Sequence, residues 1–514
     1  MLHLGDIIRL NSRRYPRKKA LIMDNRSLTF DELNRLVNQI SAGLGEIGLK
    51  PGDRVAILSR NCMEFVPIVF AIWKCGGIMV PFNFRFKINE LMYVIHNSQP
   101  KILFHAKEMS PIVEEATKKY DGSMIPVTIS GDPVRGGKTL LEISHNKSYQ
   151  EPEVHFDTYA TAMIMYTSGT TGTPKGVIFS HWRELSDIHN HSMEMDLRHE
   201  DIMLVNMPLF HNGGLSASLM IALLRGCTCV IMGGSFDPDE MFATIDRCGI
   251  TVINLVPTML RKMVEKSPIG RFKLTSLKKI MYGSSPISED LLAKALDIFK
   301  VDFYQLFAQT ETGMLLVLRP EDHYSERSQF TGRETCRADI RVVDENCRDV
   351  KIGEVGEIIS RQKPLGMDGY YGMEEATRET IRDGWIYTGD LVRVEPDGYY
   401  TVVDRLKDMI ISGAENIYCK EIEFVISEHP GVGEVVVIGI PDDMWGESVC
   451  AVIVEKCGYG LKEMDIIDFC ASRLSGYKKP KKVDFIKELP KNAAGKILKK
   501  VLKERYWAGR KKRV

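Results

Sequence analysis

Apolar residues recur along this chain with two different spacings. In residues 31–47 they return every three or four positions, which predicts an amphipathic helix. Its apolar positions are Leu33, Leu36, Val37, Ile40 and Leu44. Thr29 or Asp31 is placed to cap the start of this helix, and Gly48 is placed to end it. The next apolar run, residues 54–58, is continuous and branched, and it predicts a buried strand.

Short continuous apolar runs return further along the chain, between segments with helical spacing. They occupy residues 228–232, 252–256 and 279–282. Alternation of strands and helices is typical of parallel sheets covered by helices. Another apolar run, residues 65–73, is too short to span a bilayer and predicts a buried helix instead. The first part of the chain therefore indicates an α/β architecture.

The pattern changes near Gly332, where the apolar runs become shorter and glycine turns separate them. This predicts a β-rich subdomain, with strands at residues 340–343, 357–360, 391–394 and 399–403. A small α+β unit follows Asp404, with a helix near residues 419–429 and strands at 434–440 and 449–454. The predicted fold class is α/β. A large N-terminal domain of helix-covered sheets and the β-rich subdomain covers residues 1–404, and a small α+β C-terminal domain covers 405–514.

Composition narrows the classes of function. The 514 residues are 44% hydrophobic and 26% charged, as expected of an ordinary soluble globular protein. The formal net charge is +0, so no general basic field exists and we expect no nucleic-acid partner. The 11 cysteines are scattered and lack zinc spacing, which favours reduced thiols in a cytoplasmic protein over a disulfide framework or a metal site. We expect neither a secretory signal nor a membrane span.

The strongest chemical signal is the loop over residues 167–176, which holds five Ser or Thr hydroxyls, three glycines and Lys175. Glycines let the backbone approach a ligand, and successive free N–H groups form a concavity for anions. The candidate phosphate-binding residues are Thr167, Ser168, Gly169, Thr170, Thr171, Gly172 and Lys175. Since Lys175 is followed by Gly176, the loop differs from a Walker A loop, which ends in Gly-Lys-Ser/Thr. It predicts another kind of polyphosphate site.

Five further motifs lie downstream of this loop. They are GSSP at 283–286, YQLFAQTE at 304–311, YTGD at 387–390, DRLKD at 404–408 and PKNAAGK at 490–496. Each motif alone is compatible with an ordinary turn or a solvated charge. In this order they resemble the acyl-adenylate-forming superfamily of AMP-dependent synthetases and ligases, which contains acyl-CoA synthetases, firefly luciferase and the adenylation domains of peptide synthetases. The resemblance extends from residues 28–33 to residues 490–496.

The resemblance implies roles for single residues around a nucleotide. The adenine turn and the AMP-contacting segment would supply Gly283, Ser284, Ser285, Pro286, Phe307, Ala308 and Thr310. Glu311 would give a carboxylate to Mg²⁺, with Thr167 as a second ligand, which suits a cation that prefers hard oxygens. Asp390 would accept hydrogen bonds from both ribose hydroxyls, because an ionised carboxylate can take two donors at once. Arg405 would also reach the ribose.

The resemblance also implies a mobile C-terminal domain. Asp404 would be its hinge, and Gly413 would leave room for the pantetheine arm of coenzyme A. In that loop, Ala414 and Cys419 stand where glycine and proline are common in the family, so its detailed path is left open. The catalytic candidates are Lys496, Glu311 and His211.

Two positions indicate the class of carboxylic acid that the resemblance implies as substrate. His211, within residues 208–214, stands where amino-acid-activating relatives carry an aspartate, so an amino acid substrate is disfavoured. Ala308 stands where longer-chain relatives usually have glycine and acetate-specific relatives have tryptophan, so it would trim the pocket without closing it. Leu306 and Phe307 would add apolar walls. The resemblance thus implies a short-to-medium, branched, alicyclic or aromatic acid.

The implied reaction is the ATP-dependent ligation of a carboxylic acid to coenzyme A through acyl-AMP, with release of pyrophosphate and then AMP. ATP, Mg²⁺ and coenzyme A would be the cofactors. An alternative is the loading of a carrier-protein thiol by the same chemistry. A non-catalytic nucleotide sensor and an ATP-dependent kinase are further alternatives, and AMP rather than ADP as product would exclude the kinase. The sequence leaves open whether the protein is a monomer or a homodimer.

Overall fold

The computed structural model of the chain describes residues 3–167, 174–267, 270–285, 287–412, 415–491 and 497–508. Its strands before the glycine-rich loop are β1 (Lys19–Met23), β2 (Arg26–Thr29), β3 (Arg54–Leu58), β4 (Ile78–Phe82), β5 (Ile102–His105), β6 (Ile125–Thr128), β7 (Lys138–Thr139) and β8 (Thr161–Thr167). The strands that follow are β9 (Lys175–Ser180), β10 (Ile202–Val205), β11 (Thr228–Ile231), β12 (Val252–Leu255), β13 (Lys279–Gly283), β14 (Asp302–Gln309) and β15 (Gly313–Leu318).

Shorter strands dominate the second half of the chain. They are β16 (Gly332–Glu334), β17 (Ile340–Val343), β18 (Val355–Arg361), β19 (Gly369–Tyr370), β20 (Ile381–Arg382), β21 (Trp385–Val394) and β22 (Tyr399–Arg405). After Asp404 come β23 (Ile410–Ser412), β24 (Glu415–Ile417), β25 (Val432–Asp442), β26 (Gly446–Glu455) and β27 (Lys482–Phe485).

Helices connect most of these strands. In the first half they are α1 (Asp6–Arg14), α2 (Phe30–Glu46), α3 (Phe65–Lys74), α4 (Ile88–Ser98), α5 (Ser110–Lys119), α6 (Leu140–Ser144), α7 (His181–Glu194), α8 (Asn212–Gly214) and α9 (Ile221–Arg225). A π-helical segment, Leu215–Met220, lies between α8 and α9. The remaining helices are α10 (Pro238–Cys248), α11 (Pro257–Lys266), α12 (Glu289–Phe299), α13 (Glu374–Thr380), α14 (Cys419–Ser427), α15 (Glu463–Ala471) and α16 (Lys499–Trp507).

Fourteen of the described strands form one long sheet in the order β17-β18-β21-β22-β16-β15-β14-β13-β12-β10-β11-β1-β2, with β20 added beside β21. The part from β14 to β1 is parallel, and the pairs from β14 to β17 are antiparallel. The predicted β-rich subdomain therefore continues the parallel sheet edge to edge. In a parallel sheet the loops after the strands meet at one edge, and ligands bind there in open α/β folds.

A second sheet has the order β19-β9-β8-β4-β3-β5-β6-β7, and the C-terminal unit has its own sheet, β24-β23-β26-β25 with β27 beside β26. The largest hydrophobic cluster draws Val55 and Met163 from the second sheet, Met203 from the long sheet, and residues of α2 and α3. A separate cluster forms in the C-terminal unit, around Ile422 and Val437. The predicted combination of a large helix-covered domain and a small α+β unit is confirmed.

Several predicted elements are confirmed with small shifts of their ends. Helix α2 begins after Thr29, whose hydroxyl accepts from Glu32 N–H while the Glu32 carboxylate accepts from Thr29 N–H, so the helix starts with a capping box. Helix α3 is buried along its whole length, as the apolar run predicts. All eleven cysteines are free thiols. Throughout the described ranges, no helix combines the length and apolar character needed to cross a bilayer.

Candidate active site

The glycine-rich loop connects β8 to β9, which pair as an antiparallel hairpin. Thr167 and Lys175 face each other at the base of the loop, and Thr167 Oγ1 donates to the Lys175 carbonyl at 3.5 Å. The predicted phosphate contacts Ser168, Gly169, Thr170, Thr171 and Gly172 lie outside the described residues. The hairpin therefore positions one hydroxyl and one cation where the loop begins and ends.

Lys175 and Glu311 meet at a third residue, Tyr370. The Tyr370 hydroxyl donates to Glu311 Oε1 at 3.0 Å, and Lys175 Nζ stands 4.7 Å from the centre of the Tyr370 ring. Glu311 comes from the turn between β14 and β15, so the long sheet and the second sheet contribute to one site. A carboxylate has about four lone-pair sites, so Glu311 retains acceptors for Mg²⁺ while it accepts from Tyr370. The Glu311 carboxylate and the Thr167 hydroxyl are both oxygen ligands, and Mg²⁺ prefers oxygen ligands.

The predicted adenine turn follows β13, beside β14. Gly283 pairs with Leu306, and a Cβ at Gly283 would lie 2.3 Å from the Leu306 carbonyl oxygen, so a side chain has no room there. Ser284 has φ +69°, a left-handed conformation that is uncommon outside glycine and is concentrated at functional sites. Ser285 is exposed, and Pro286 lies outside the described residues. The turn thus lies next to the segment that contains Glu311.

The predicted acid pocket does not have one wall formed by Leu306, Phe307 and Ala308 together. Leu306 packs against the largest hydrophobic cluster, whereas Phe307 packs against a separate cluster that includes Leu315 and Leu316. Successive side chains of a strand point to opposite faces, so Leu306 and Phe307 cannot both face one pocket. Ala308 is exposed, beside an irregularity in the pairing of β14 with β15. The expectation that both Leu306 and Phe307 add apolar walls to the acid pocket was wrong for this reason.

The predicted ribose carboxylate holds two protein donors. Arg405 Nε lies 2.9 Å from Asp390 Oδ1, and Gln309 Nε2 donates to Asp390 Oδ2 at 2.6 Å. Gln309 also donates to the Thr388 carbonyl at 3.0 Å. Sequence reasoning missed Gln309, although it lies inside the YQLFAQTE motif beside Thr310. It connects the Glu311 segment to Asp390, and the lone pairs left on the carboxylate can still accept from ribose.

His211 lies in the loop after β10, at the same edge of the long sheet as the adenine turn. Its ring packs against Phe210, whose own ring meets Phe84 edge to face. Burial lowers the pKa of His211, and the nearby Arg85 charge lowers it further. The imidazole is therefore neutral near pH 7 and offers no fixed charge to a substrate. In the described structure no hydrogen bond or ion pair joins His211 to Glu311.

The hinge candidate Asp404 is buried, and its carboxylate accepts from the backbone N–H groups of Arg405 and Cys419. Burial raises the pKa of Asp404. Gly413 and Lys496 lie outside the described residues. The two sides of the catalytic-lysine motif meet where Lys491 and Ile497 form an antiparallel bridge. Both donors to the Asp404 carboxylate lie on the C-terminal side of the predicted domain boundary, whereas the backbone of Asp404 pairs with Leu391 of β21 on the N-terminal side.

A model of the AMP-binding enzyme family matches residues 8–371, more than half of the chain. The chain belongs to the AMP-binding enzyme family. A model of the AMP-binding enzyme C-terminal domain matches residues 421–496. The acyl-adenylate-forming superfamily indicated by the motifs is thereby confirmed, in its acyl-CoA synthetase branch. The predicted boundary at residue 404 lies between the two matched ranges and stays a prediction.

Relatives of this AMP-binding enzyme cover nearly its whole length. It is 35% identical to the fatty acid–[acyl-carrier-protein] ligase ScoC of Streptomyces coeruleorubidus, over 97% of this chain and 95% of ScoC. It is 34% identical to a feruloyl-CoA synthase of Amycolatopsis sp, over 96% and 97%. ATP-bound MatB from Rhodopseudomonas palustris superposes with a TM-score of 0.90, at 27% identity, over 99% of this chain and 100% of MatB. The enzyme is thus an AMP-forming acid–thiol ligase, and its branch uses ATP, Mg²⁺ and coenzyme A.

Helix α7 of this AMP-binding enzyme carries a charged group that sequence reasoning missed. Arg183, Glu184 and Asp187 are fully buried, and Arg183 Nη1 lies 2.8 Å from Glu184 Oε2 and 3.4 Å from Asp187 Oδ2. Arg183 Nη2 donates to the Thr310 carbonyl at 3.2 Å, and the Ser216 hydroxyl donates to Glu184. Ser216 follows the His211 loop, so α7 connects the predicted acid-binding loop to the Glu311 turn.

Asp187 also contacts the chain at the Glu311 turn, where β15 begins. Its Oδ1 accepts from Met314 N–H at 3.1 Å, and a Cβ at Gly313 would lie 2.6 Å from that oxygen, so this close approach requires glycine. Burial alone would raise the pKa of Asp187, but the charges of His191 and Arg183 outweigh it and lower that pKa to about 2. The spacing 183, 187 and 191, one helix face of chargeable residues, is the signal that could have revealed this group.

We expect Arg183→Leu to lower the free energy of unfolding by about 3–5 kcal/mol, because it leaves buried carboxylates without their cation. Urea denaturation followed by circular dichroism measures this change. Arg198→Leu is the matched control, since Arg198 and Asp196 form an exposed ion pair at 3.0 Å. The control should change stability little. Equal small changes in both variants would contradict a structural role for the α7 group.

Proposed function

We propose that this enzyme is an ATP-dependent carboxylic acid:CoA ligase that acts on a short-to-medium, branched, alicyclic or aromatic acid. The observation that best supports this proposal is that Lys175 and Glu311 both contact Tyr370. Gln309 extends the same segment to Asp390, which is paired with Arg405. The proposed phosphate cation, Mg²⁺ carboxylate and ribose carboxylate are thus connected through Tyr370 and Gln309, although Lys175 belongs to the second sheet and the two carboxylates to the long sheet.

In the proposed first step, a carboxylate oxygen of the acid attacks the α-phosphorus of ATP. The bond from that phosphorus to the pyrophosphate oxygen breaks, and acyl-AMP forms. Two unit negative charges 4 Å apart repel by about 4 kcal/mol at an effective dielectric constant of about 20. Lys175 and Lys496 are assigned to offset this repulsion, because preorganised cations stabilise the charge that develops in a transition state. Mg²⁺ held by Glu311 and Thr167 would add positive charge at the phosphates when bound.

In the proposed second step, the thiol of coenzyme A attacks the acyl carbon, and AMP leaves. A free thiol has a pKa of about 8.5, so a few per cent is thiolate near neutral pH, and that fraction is the nucleophile. We assign rotation of the C-terminal domain about Asp404 to the interval between the steps. This motion would withdraw Lys496 and present the loop at Gly413 to the pantetheine arm.

His211 and Ala308 support the proposed acid class. A neutral His211 offers no negative charge to an α-ammonium group, which disfavours amino acids. Ala308 is exposed at the end of β14, where a methyl group shortens a pocket without filling it. Fatty and aromatic acids both occur in the names of relatives, so the choice between them needs measurement.

The decisive test incubates the purified protein with Mg-ATP, coenzyme A and a panel of carboxylic acids, and scores thioester, acyl-AMP, AMP and ADP by mass spectrometry. We expect thioester and AMP with a subset of the acids, and that subset ranks the substrates. Glycine and alanine serve as amino acid controls and should give no adenylate. ADP as the nucleotide product, or no adenylate with any acid, would contradict the proposal.

A second candidate acceptor is the thiol of a carrier protein. It is favoured by the 35% identity to a fatty acid–[acyl-carrier-protein] ligase along nearly the whole chain. Acyl-AMP without thioester in the panel, followed by thioester on addition of a phosphopantetheinylated carrier protein, would support it. We also propose that the enzyme works in the cytoplasm, because its eleven cysteines are free thiols, as is usual in a reducing compartment.

A further inference from the structure

Tyr370 lies between the two charged groups that we assign to Mg²⁺ and phosphate. Its hydroxyl donates to Glu311 Oε1 at 3.0 Å, and its ring centre is 4.7 Å from Lys175 Nζ. Tyr370 as a whole residue is only 8% exposed. We propose that Tyr370 is a positioning residue that orients Glu311 toward Mg²⁺ and Lys175 toward the phosphates of ATP. This inference rests on the function proposed above.

The backbone around Tyr370 is hydrogen-bonded both to β9 and to the Glu311 turn. Gly369 and Tyr370 form β19, which pairs with β9 directly after Lys175, so Tyr370 stands opposite Val177. Three hydrogen bonds of 2.9 Å or less fix the same segment. They run from Met367 N to Glu311 O, from Tyr370 N to Thr377 Oγ1 and from Tyr371 N to Gly176 O. The segment therefore ties the Glu311 turn to the hairpin that carries the glycine-rich loop.

The hydroxyl of Tyr370 is suited to orient a carboxylate. A phenol has an ordinary pKa of about 10, so the Tyr370 hydroxyl carries its proton near neutral pH and donates to Glu311 Oε1. A hydrogen bond to an ionised carboxylate is stronger than one between neutral groups. It occupies Oε1 and limits rotation of the carboxylate, which leaves Oε2 in a defined direction. Groups that orient a metal ligand in this way tune metal affinity as well as geometry.

The ring of Tyr370 has a separate effect on Lys175. An ammonium near the face of an aromatic ring is attracted by the ring quadrupole, which restricts the positions that a flexible lysine adopts. Phenylalanine at this position keeps the ring and removes only the hydroxyl. Leucine removes both. The two variants therefore separate the effect on Glu311 from the effect on Lys175.

The test measures binding of Mn²⁺ by electron paramagnetic resonance, with ATP present and the acid absent. We expect Tyr370→Phe to raise the dissociation constant of Mn²⁺ about 10- to 100-fold, as loss of an orienting partner does in other metal sites. ATP affinity measured without metal should be unchanged in Tyr370→Phe. It should fall in Tyr370→Leu, where Lys175 also loses its ring. Neither readout depends on turnover.

Tyr399→Phe is the matched control, because the buried Tyr399 hydroxyl likewise donates to a carboxylate, Asp322 Oδ1, at 2.7 Å. It should leave Mn²⁺ binding unchanged. Equal Mn²⁺ affinity in wild type and Tyr370→Phe would overturn this inference and leave the proposed function standing. The same would follow if Tyr399→Phe weakened Mn²⁺ binding as much as Tyr370→Phe does. A wild-type protein that binds neither ATP nor Mn²⁺ with ATP would contradict the proposed function, and this inference with it.

Discussion

Lys496→Ala is expected to slow acyl-AMP formation by about 100- to 1,000-fold, the usual effect of removing one preorganised charge from a transition state. Thioester formation from supplied acyl-AMP should be largely spared. The reason is that only the first step brings two anions together, the carboxylate and the α-phosphate. Pyrophosphate exchange measures the first step, and thioester release from synthetic acyl-AMP measures the second.

Lys487→Ala provides the control for Lys496→Ala, because Lys487 is an exposed residue of the same lysine-rich segment. It should change neither half-reaction. An equal loss in both half-reactions of Lys496→Ala would contradict the assignment, since it would indicate general damage to the C-terminal unit. Unchanged pyrophosphate exchange in Lys496→Ala would show that Lys496 has no role in acyl-AMP formation.

Glu311→Gln is expected to lower the rate of acyl-AMP formation by a similar factor, about 100- to 1,000-fold. Glutamine retains an oxygen that can accept from the Tyr370 hydroxyl, so the local geometry is preserved while the negative charge is lost. A neutral amide oxygen is a poorer ligand for Mg²⁺ than a carboxylate, so the half-saturating Mg²⁺ concentration should rise. Pyrophosphate exchange over a Mg²⁺ titration measures both effects.

Glu334→Gln is the control for Glu311→Gln, because Glu334 of β16 also accepts a hydrogen bond, from Ile340 N–H at 2.9 Å. Its substitution should leave the Mg²⁺ titration unchanged. If Glu311→Gln slowed the reaction without changing its dependence on Mg²⁺, Glu311 would have another role in the site. Wild-type rates in Glu311→Gln would exclude it from the catalytic residues.

Local sequence patterns predicted individual elements well. Strand β3 has the predicted bounds, and helix α2 differs from the prediction by one residue at each end. These successes have a local cause, since side-chain periodicity and the Thr29 cap act within one turn or one strand. The motifs identified Lys175, Glu311 and Asp390 as candidate site residues because ordered motifs can be recognised in the linear sequence.

The sequence by itself determined the fold class, the family and the principal candidate residues, because periodicity and ordered motifs are properties of the linear chain. Only the tertiary structure placed Tyr370 on Glu311, 59 positions apart, and Arg183 on the Thr310 carbonyl, 127 positions apart. It also turned Phe307 away from Leu306. Contacts of this kind depend on which strands pair and which faces are buried, and local sequence carries no signal for that choice.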